Sequence, residues 1–141
     1  MPLQEFVTAN WELFLALVVI LALLFNNLFA ERLRGYQSVD PGGAVNLINH
    51  EDALYLDVRT DGEISEGRVI NSLHIPLSAL KSRLGELEKH RQRPIVVGCR
   101  SGHRSGVACG QLRKAGYEKV YNLKGGILAW RAANLPVTRK G

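Results

Sequence analysis

Two hydrophobic patterns divide this chain. From Leu13 to Ala30 the segment LFLALVVILALLFNNLFA is apolar on every side and carries no charge; only the amides of Asn26 and Asn27 interrupt it. Counted from Trp11 the run is 20 residues long, about 30 Å of helix, which matches the hydrocarbon thickness of a bilayer. Trp11 falls where aromatic rings settle at a membrane interface. A helix with no polar face needs lipid or a large protein around it, and an interfacial helix would show a charged face. A cleaved leader would have Lys or Arg ahead of the apolar run and small residues at the cut. Here nothing basic precedes the run, and Leu28-Phe29-Ala30 suits cleavage poorly. The pattern predicts a transmembrane helix over 11–30, between a short tail (1–10) and a basic linker (31–35).

Beyond residue 35 the apolar residues come in short runs and at helical spacing. Tyr36–Val39 predicts a strand, and Asp40-Pro41 a helix start, with Asp as cap and Pro in the first turn. Ala53–Val58 (ALYLDV) and Pro94–Gly98 (PIVVG) are apolar runs of the length of buried strands. Arg59–Gly67 reads as a polar loop, and Ser72–Ile75 as a strand stopped by Pro76. Leu80, Leu84 and Leu87 recur at helical spacing after Ser78, which is expected to cap their helix. A helix is expected from about Arg104 to Ala115, ended by Gly116, then a strand over Lys119–Leu123 and a short helix over Ile127–Ala133. This alternation predicts an α/β domain over 36–138, a mostly parallel sheet with helices on both faces, followed by a tail (139–141).

Charge sharpens the picture of the first segment. All 18 Lys and Arg residues lie from Arg32 onward, whereas Glu5, Glu12 and Glu31 are the only acids before it. By the positive-inside rule, the domain is expected in the cytoplasm and the short N-terminus outside. The basic domain suits anionic headgroups or small anionic substrates. Without basic runs interleaved with aromatics, nucleic acid is not expected as a partner. Two cysteines, Cys99 and Cys109, are too few for a disulfide scaffold and suit a reducing compartment. His50, His74, His90 and His103 lack metal-ligand spacing, so no metal or cofactor is expected.

In parallel sheets, sites form where strand carboxyl ends meet helix N-termini. Cys99 follows one predicted strand, and a tight loop, Arg100-Ser101-Gly102-His103-Arg104, leads from it into a helix. Backbone N–H groups of such a loop can form an anion-binding nest, and a helix N-terminus adds partial positive charge. Arg100, His103 and Arg104 add basic side chains. These surroundings favour thiolate, the reactive form, and make Cys99 the candidate nucleophile. Cys109, mid-helix beside Val107 and Ala108, reads as core. Asp57 and Arg59 end another strand on one side, as supporting site residues or as ties between loops.

The segment Cys99-Arg100-Ser101-Gly102-His103-Arg104-Ser105 resembles the active-site loop of the rhodanese family, Cys-X-X-Gly-X-Arg followed by Ser or Thr. Leu56-Asp57-Val58-Arg59 resembles that family's Leu-Asp-Val-Arg. The stretch from Glu66 to Pro76 is similar to its Gly-His-Ile-X-Gly-Ala-X-Asn-Ile-Pro segment, and Leu112 to Trp130 to its C-terminal pattern. Arg68 stands where the family usually has His, and Asn71-Ser72 replaces Gly-Ala. The resemblance implies a rhodanese-like fold and a sulfurtransferase. Cys99 would take the outer sulfur of a thiosulfate-like donor as a persulfide, stabilised by the N–H groups of Arg100 to Arg104. The sulfur would then pass to a thiol or a protein acceptor. Two alternatives stand beside this: a membrane-bound relay or docking module with little turnover, and a phosphatase or arsenate reductase on the same fold. The latter relatives place Arg six positions after Cys; here Arg104 is five after Cys99.

Overall fold

The computed structural model describes residues 2–139, with side chains for all of these except 30–34. The side chains of Arg32 and Arg34 in the expected basic linker, and the last two residues of the expected tail, therefore lie outside what is described. The chain divides into two units, Met1–Arg34 and Gly35–Gly141.

The first unit contains two helices, α1 (Leu3–Ala9) and α2 (Trp11–Arg34). Asn10 separates them: its backbone N–H donates to the Phe6 carbonyl at 3.1 Å and its side chain to the same oxygen at 2.9 Å. The Phe6 and Phe14 rings meet edge-on at 5.9 Å. Trp11–Phe29 of α2 is long and apolar enough to cross a membrane, and none of it is buried within the protein. Leu13, Val18, Leu23 and Leu28 are each more than 60% exposed, so the helix offers an apolar surface all round.

The second unit is built on a five-stranded sheet: β1 (Gln37–Val39), β2 (Leu54–Asp57), β4 (Leu73–His74), β5 (Ile95–Gly98) and β6 (Val120–Leu123), in the spatial order β1-β6-β5-β2-β4. Every adjacent pair is parallel, with β5 at the centre. Parallel strands require crossovers, which here are helical and cover both faces. Strand alternation sorts the core. Leu54, Leu56, Val58, Ile95, Val97 and Cys99 pack with Leu80, Leu87 and Leu112 on one face. Tyr55, Val96 and Leu123 pack with Ala44, Leu47, Ile127 and Trp130 on the other. Burying an aliphatic side chain of this size contributes about 1.5–3 kcal/mol, and both faces of β2 and β5 are buried.

The helices are α3 (Pro41–Glu51), α4 (Asp61–Ile64), α5 (Leu77–Leu80), α6 (His103–Lys114) and α7 (Gly126–Ala132). Asp40 caps α3 as expected, accepting from the Gly43 N–H at 2.7 Å. Gly116, with φ +94°, follows the end of α6. The helix expected after Ser78 is different. It starts two residues earlier, with Pro76 and not Ser78 at the cap position, and gives way to a 3-10 segment over Lys81–His90, with non-helical backbone at Arg83. The leucine spacing of four and then three residues fits that change of pitch, and both Leu80 and Leu87 are fully buried. The expected loop 59–67 contains the single turn α4. Two short strands, β3 (Arg68–Val69) and β7 (Val137–Thr138), form an antiparallel pair apart from the main sheet; two-residue strands carry no periodicity to read.

Candidate active site

The central strand β5 ends at Gly98 and delivers Cys99 to the carboxyl edge of the sheet. Gly98 is required by packing: a Cβ there would overlap the Tyr55 phenol. After Cys99 the chain bends away, and its carbonyls are drawn to the first turn of α7. The Ile127 N–H donates to the Cys99 carbonyl at 2.8 Å, and the Leu128 N–H to the Arg100 carbonyl at 3.2 Å. Gly126, at φ +59°, permits this approach, because a Cβ would run into both carbonyls. With its carbonyls turned outward, the loop directs N–H groups inward, as an anion nest requires.

Cys99 Sγ accepts from the Gly102 N–H at 3.0 Å and lies 3.3 Å from Ser105 Oγ. Gly102 has φ +108°, a conformation that favours glycine. Burial pushes the Cys99 thiol up, but hydrogen bonds at Ser105 and from the amides of Gly102 and Ser101 outweigh it, and the net direction is downward. Sequence reasoning expected this direction. The cause is hydrogen bonding more than neighbouring cationic charge.

The predicted loop residues are together here, in different roles. Arg100, Ser101 and His103 are exposed around the thiol. Arg104 forms a two-bond ion pair with Glu63, at 2.6 and 2.8 Å, so its charge reaches the sulfur largely compensated. The Arg104 hydrogen bond, helped by bonds to Thr60, holds the Glu63 carboxyl down at about 2.

Asp57 and Arg59 form a buried pair. Arg59 Nη2 lies 2.9 Å from Asp57 Oδ2, and Nε lies 3.0 Å from Oδ1. The same guanidinium donates to the Gly67 carbonyl at 2.7 Å and to the Glu63 carbonyl at 3.3 Å. The pair thus ties residues 57–67 into one body and sets the backbone that carries Glu63. His74 Nε2 completes this edge, 2.7 Å from the Arg59 carbonyl. Arg68, the departure from the family pattern, clamps its own turn: Nε donates to Ser72 Oγ at 3.0 Å and Nη2 to the Ser72 carbonyl. Asn71, within that turn, has φ +64°.

Two contributors escaped sequence reasoning. Glu63 is visible in the sequence as the fourth residue of Thr60-Asp61-Gly62-Glu63, a capping box that the structure contains, but nothing local connects it to Arg104. Asn122, on β6, accepts from Ser105 Oγ at 2.5 Å and donates to the Gly102 carbonyl at 3.1 Å. Only the cross-strand neighbourhood of Asn122 and Val97 places it here. Among the described residues no cluster of three or more His, Cys, Asp or Glu side chains is arranged to hold a metal ion.

The family of rhodanese-like domains matches residues 40–133, and the chain belongs to that family. A sulfurtransferase of Allochromatium vinosum is 42% identical over 91 residues, covering 64% of this chain and 83% of that protein. The uncharacterized Escherichia coli protein YibN is 31% identical over 138 residues, covering 97% of this chain and 96% of that one. Among solved structures, a rhodanese-related protein of Thermoplasma volcanium superposes with a TM-score of 0.68 at 30% identity, covering 74% of this chain and all of that one.

Proposed function

We propose that this chain is a sulfurtransferase, anchored in a membrane by residues 11–30, that accepts sulfane sulfur from a small anionic donor onto Cys99. It then passes that sulfur to a thiol or another nucleophilic acceptor. The observation that carries this reading is the inward-facing cradle: the Gly102 N–H lies 3.0 Å from Cys99 Sγ, while the Cys99 and Arg100 carbonyls are tied to α7. With thiosulfate as donor, the Cys99 thiolate attacks the outer sulfur. The new bond from Sγ forms as the donor's S–S bond breaks, and that bond pair leaves on sulfite. The outer sulfur of the resulting persulfide carries the negative charge, and the loop amides stabilise it. The acceptor then attacks the outer sulfur and the Cys99 thiolate departs; with cyanide the product is thiocyanate. A covalent intermediate divides the transfer into two easier steps.

The Arg104–Glu63 pair favours sulfur over phosphoryl chemistry, because the Arg104 guanidinium, a natural partner for a phosphate in this loop, is already engaged by a carboxylate. Thiocyanate formation and aryl phosphate hydrolysis, measured on one sample, test this. The expected result is Cys99-dependent thiocyanate release without hydrolysis; Cys99-dependent hydrolysis would contradict it. For the anchor, the expected result is sedimentation with membranes, resistance to high-salt extraction, and protection of the domain from protease added outside spheroplasts. Release by salt would instead indicate a peripheral, charge-based association.

A further inference from the structure

We infer that Asn122 is a positioning residue that commits the Ser105 hydroxyl proton away from Cys99. The inference deepens the proposed sulfur chemistry of Cys99 and rests on that reading for its functional meaning, though not for its geometry. The Gly102 carbonyl can only accept, so it fixes the Asn122 amide with Nδ2 toward it, at 3.1 Å. Oδ1 is thereby turned to Ser105 Oγ, at 2.5 Å. A hydroxyl has one proton. Shared with Oδ1, that proton is not on the line to Cys99, and Ser105 presents a lone pair to Sγ across 3.3 Å.

The arrangement distinguishes the states of Cys99. A thiol can donate its own proton to Ser105 and leaves the Ser105–Asn122 bond intact. In a persulfide, Sγ is bonded to the outer sulfur and carries little charge, so the Ser105–Asn122 bond is again undisturbed. A bare thiolate faces a lone pair unless the hydroxyl rotates, and rotation forfeits the bond to Asn122. Asn122 therefore disfavours the bare thiolate relative to the thiol and the persulfide. A thiol whose pKa falls too far is also a weaker nucleophile, so this restraint works in the same direction as reactivity.

The other ionisable groups near Cys99 are Arg100 and His103, exposed on the loop itself, Arg104 from α6, already paired with Glu63, and Tyr55 from β2, with Asp57 and Arg59 paired beyond it. None of them touches the Ser105 hydroxyl. Its hydrogen-bonding neighbours are Cys99 and Asn122.

The test is the pH profile of Cys99 alkylation by iodoacetamide, read by mass on the Cys99 peptide with the whole chain in mild detergent. Alkylation requires no sulfur transfer, so it separates failure of this inference from failure of the proposed function. Asn122→Leu should shift the midpoint to lower pH, by freeing the Ser105 proton for the thiolate. In a Ser105→Ala background the same substitution should produce no shift. Asn122→Asp, which keeps an acceptor toward Ser105 and adds negative charge, should shift the midpoint to higher pH; it also covers the case in which the leucine variant does not fold. An equal shift by Asn122→Leu in both backgrounds would mean that Asn122 acts through the Gly102 backbone and would overturn the inference. So would an unchanged or raised midpoint in the otherwise native chain, or a lowered midpoint with Asn122→Asp.

Discussion

Arg104 and Glu63 are joined by two hydrogen bonds, at 2.6 and 2.8 Å, across 41 residues of sequence. This pair fastens the turn after β2 to the first turn of α6, and so ties the helix that follows the Cys99 loop to a second element besides α7. It has a direct consequence for acid stability. The Glu63 carboxyl is held at about 2 in place of its ordinary 4.5. A depressed folded-state value means that the stabilisation is fully present above pH 4.5 and is lost as pH falls through about 2. Glu63→Gln should lower stability by about 1 kcal/mol near pH 6, since the pair is partly exposed. The difference should shrink as pH falls and close below about 2, where native Glu63 is itself protonated. Urea denaturation at a series of pH values measures this, and a constant difference at every pH would argue against the pair.

The buried Asp57–Arg59 pair should respond more strongly. Removing one member of a buried ion pair leaves the other charge unpaired and costs about 3–5 kcal/mol. Asp57→Asn and Arg59→Leu should each show a loss of that size by denaturant unfolding. Arg59→Leu should also make the 59–67 turn more susceptible to proteolysis, because the guanidinium bonds to Glu63 and Gly67 are gone. A loss below about 1 kcal/mol for both variants would mean that the pair does not organise this edge.

Gly98 and Tyr55 should be coupled. Gly98→Ala alone forces the new methyl against the Tyr55 ring, an overpacking that costs about 1–3 kcal/mol. Tyr55→Leu removes the obstruction, so the double variant should be more stable than the sum of the two single losses implies. A double-mutant cycle in urea measures the coupling; strict additivity would mean that the ring is not what excludes a side chain at position 98.

The sheet and the loop were legible in the sequence for physical reasons. ALYLDV and PIVVG are apolar on both sides because both faces of a central parallel strand are covered. Asp40-Pro41 marks a helix start because the cap and the fixed φ are local chemistry. Cys99 stood out through its position between a strand and a helix. The parts that were not legible depend on contacts between residues distant in sequence. Nothing near Arg104 announces that Glu63 neutralises it, and nothing near Asn122 announces that it meets Ser105. The β3–β7 pair and the 3-10 segment after Leu80 are set by tertiary packing, which local propensity does not encode.

The thiol of Cys99 should ionise at lower pH than an ordinary cysteine, about 8.5. Burial opposes this and the loop hydrogen bonds exceed it. Because the reactive form is the thiolate, sulfur uptake should persist below that pH and fall off only as pH drops through the lowered value. Thiolate absorbance in the ultraviolet follows the titration, and a midpoint at or above that of a free cysteine would contradict the cradle's role.

The central claim is that Cys99 alone carries the sulfur, and the mass of the two cysteine peptides after incubation with thiosulfate tests it most directly. Cys99 lies in the cradle of loop amides, whereas Cys109 is fully buried on α6 within the apolar core. The account predicts that the Cys99 peptide gains one sulfur atom, that the Cys109 peptide is unchanged, and that cyanide removes the added mass as thiocyanate. Sulfur on Cys109, or undiminished uptake by a Cys99→Ser variant, would contradict it.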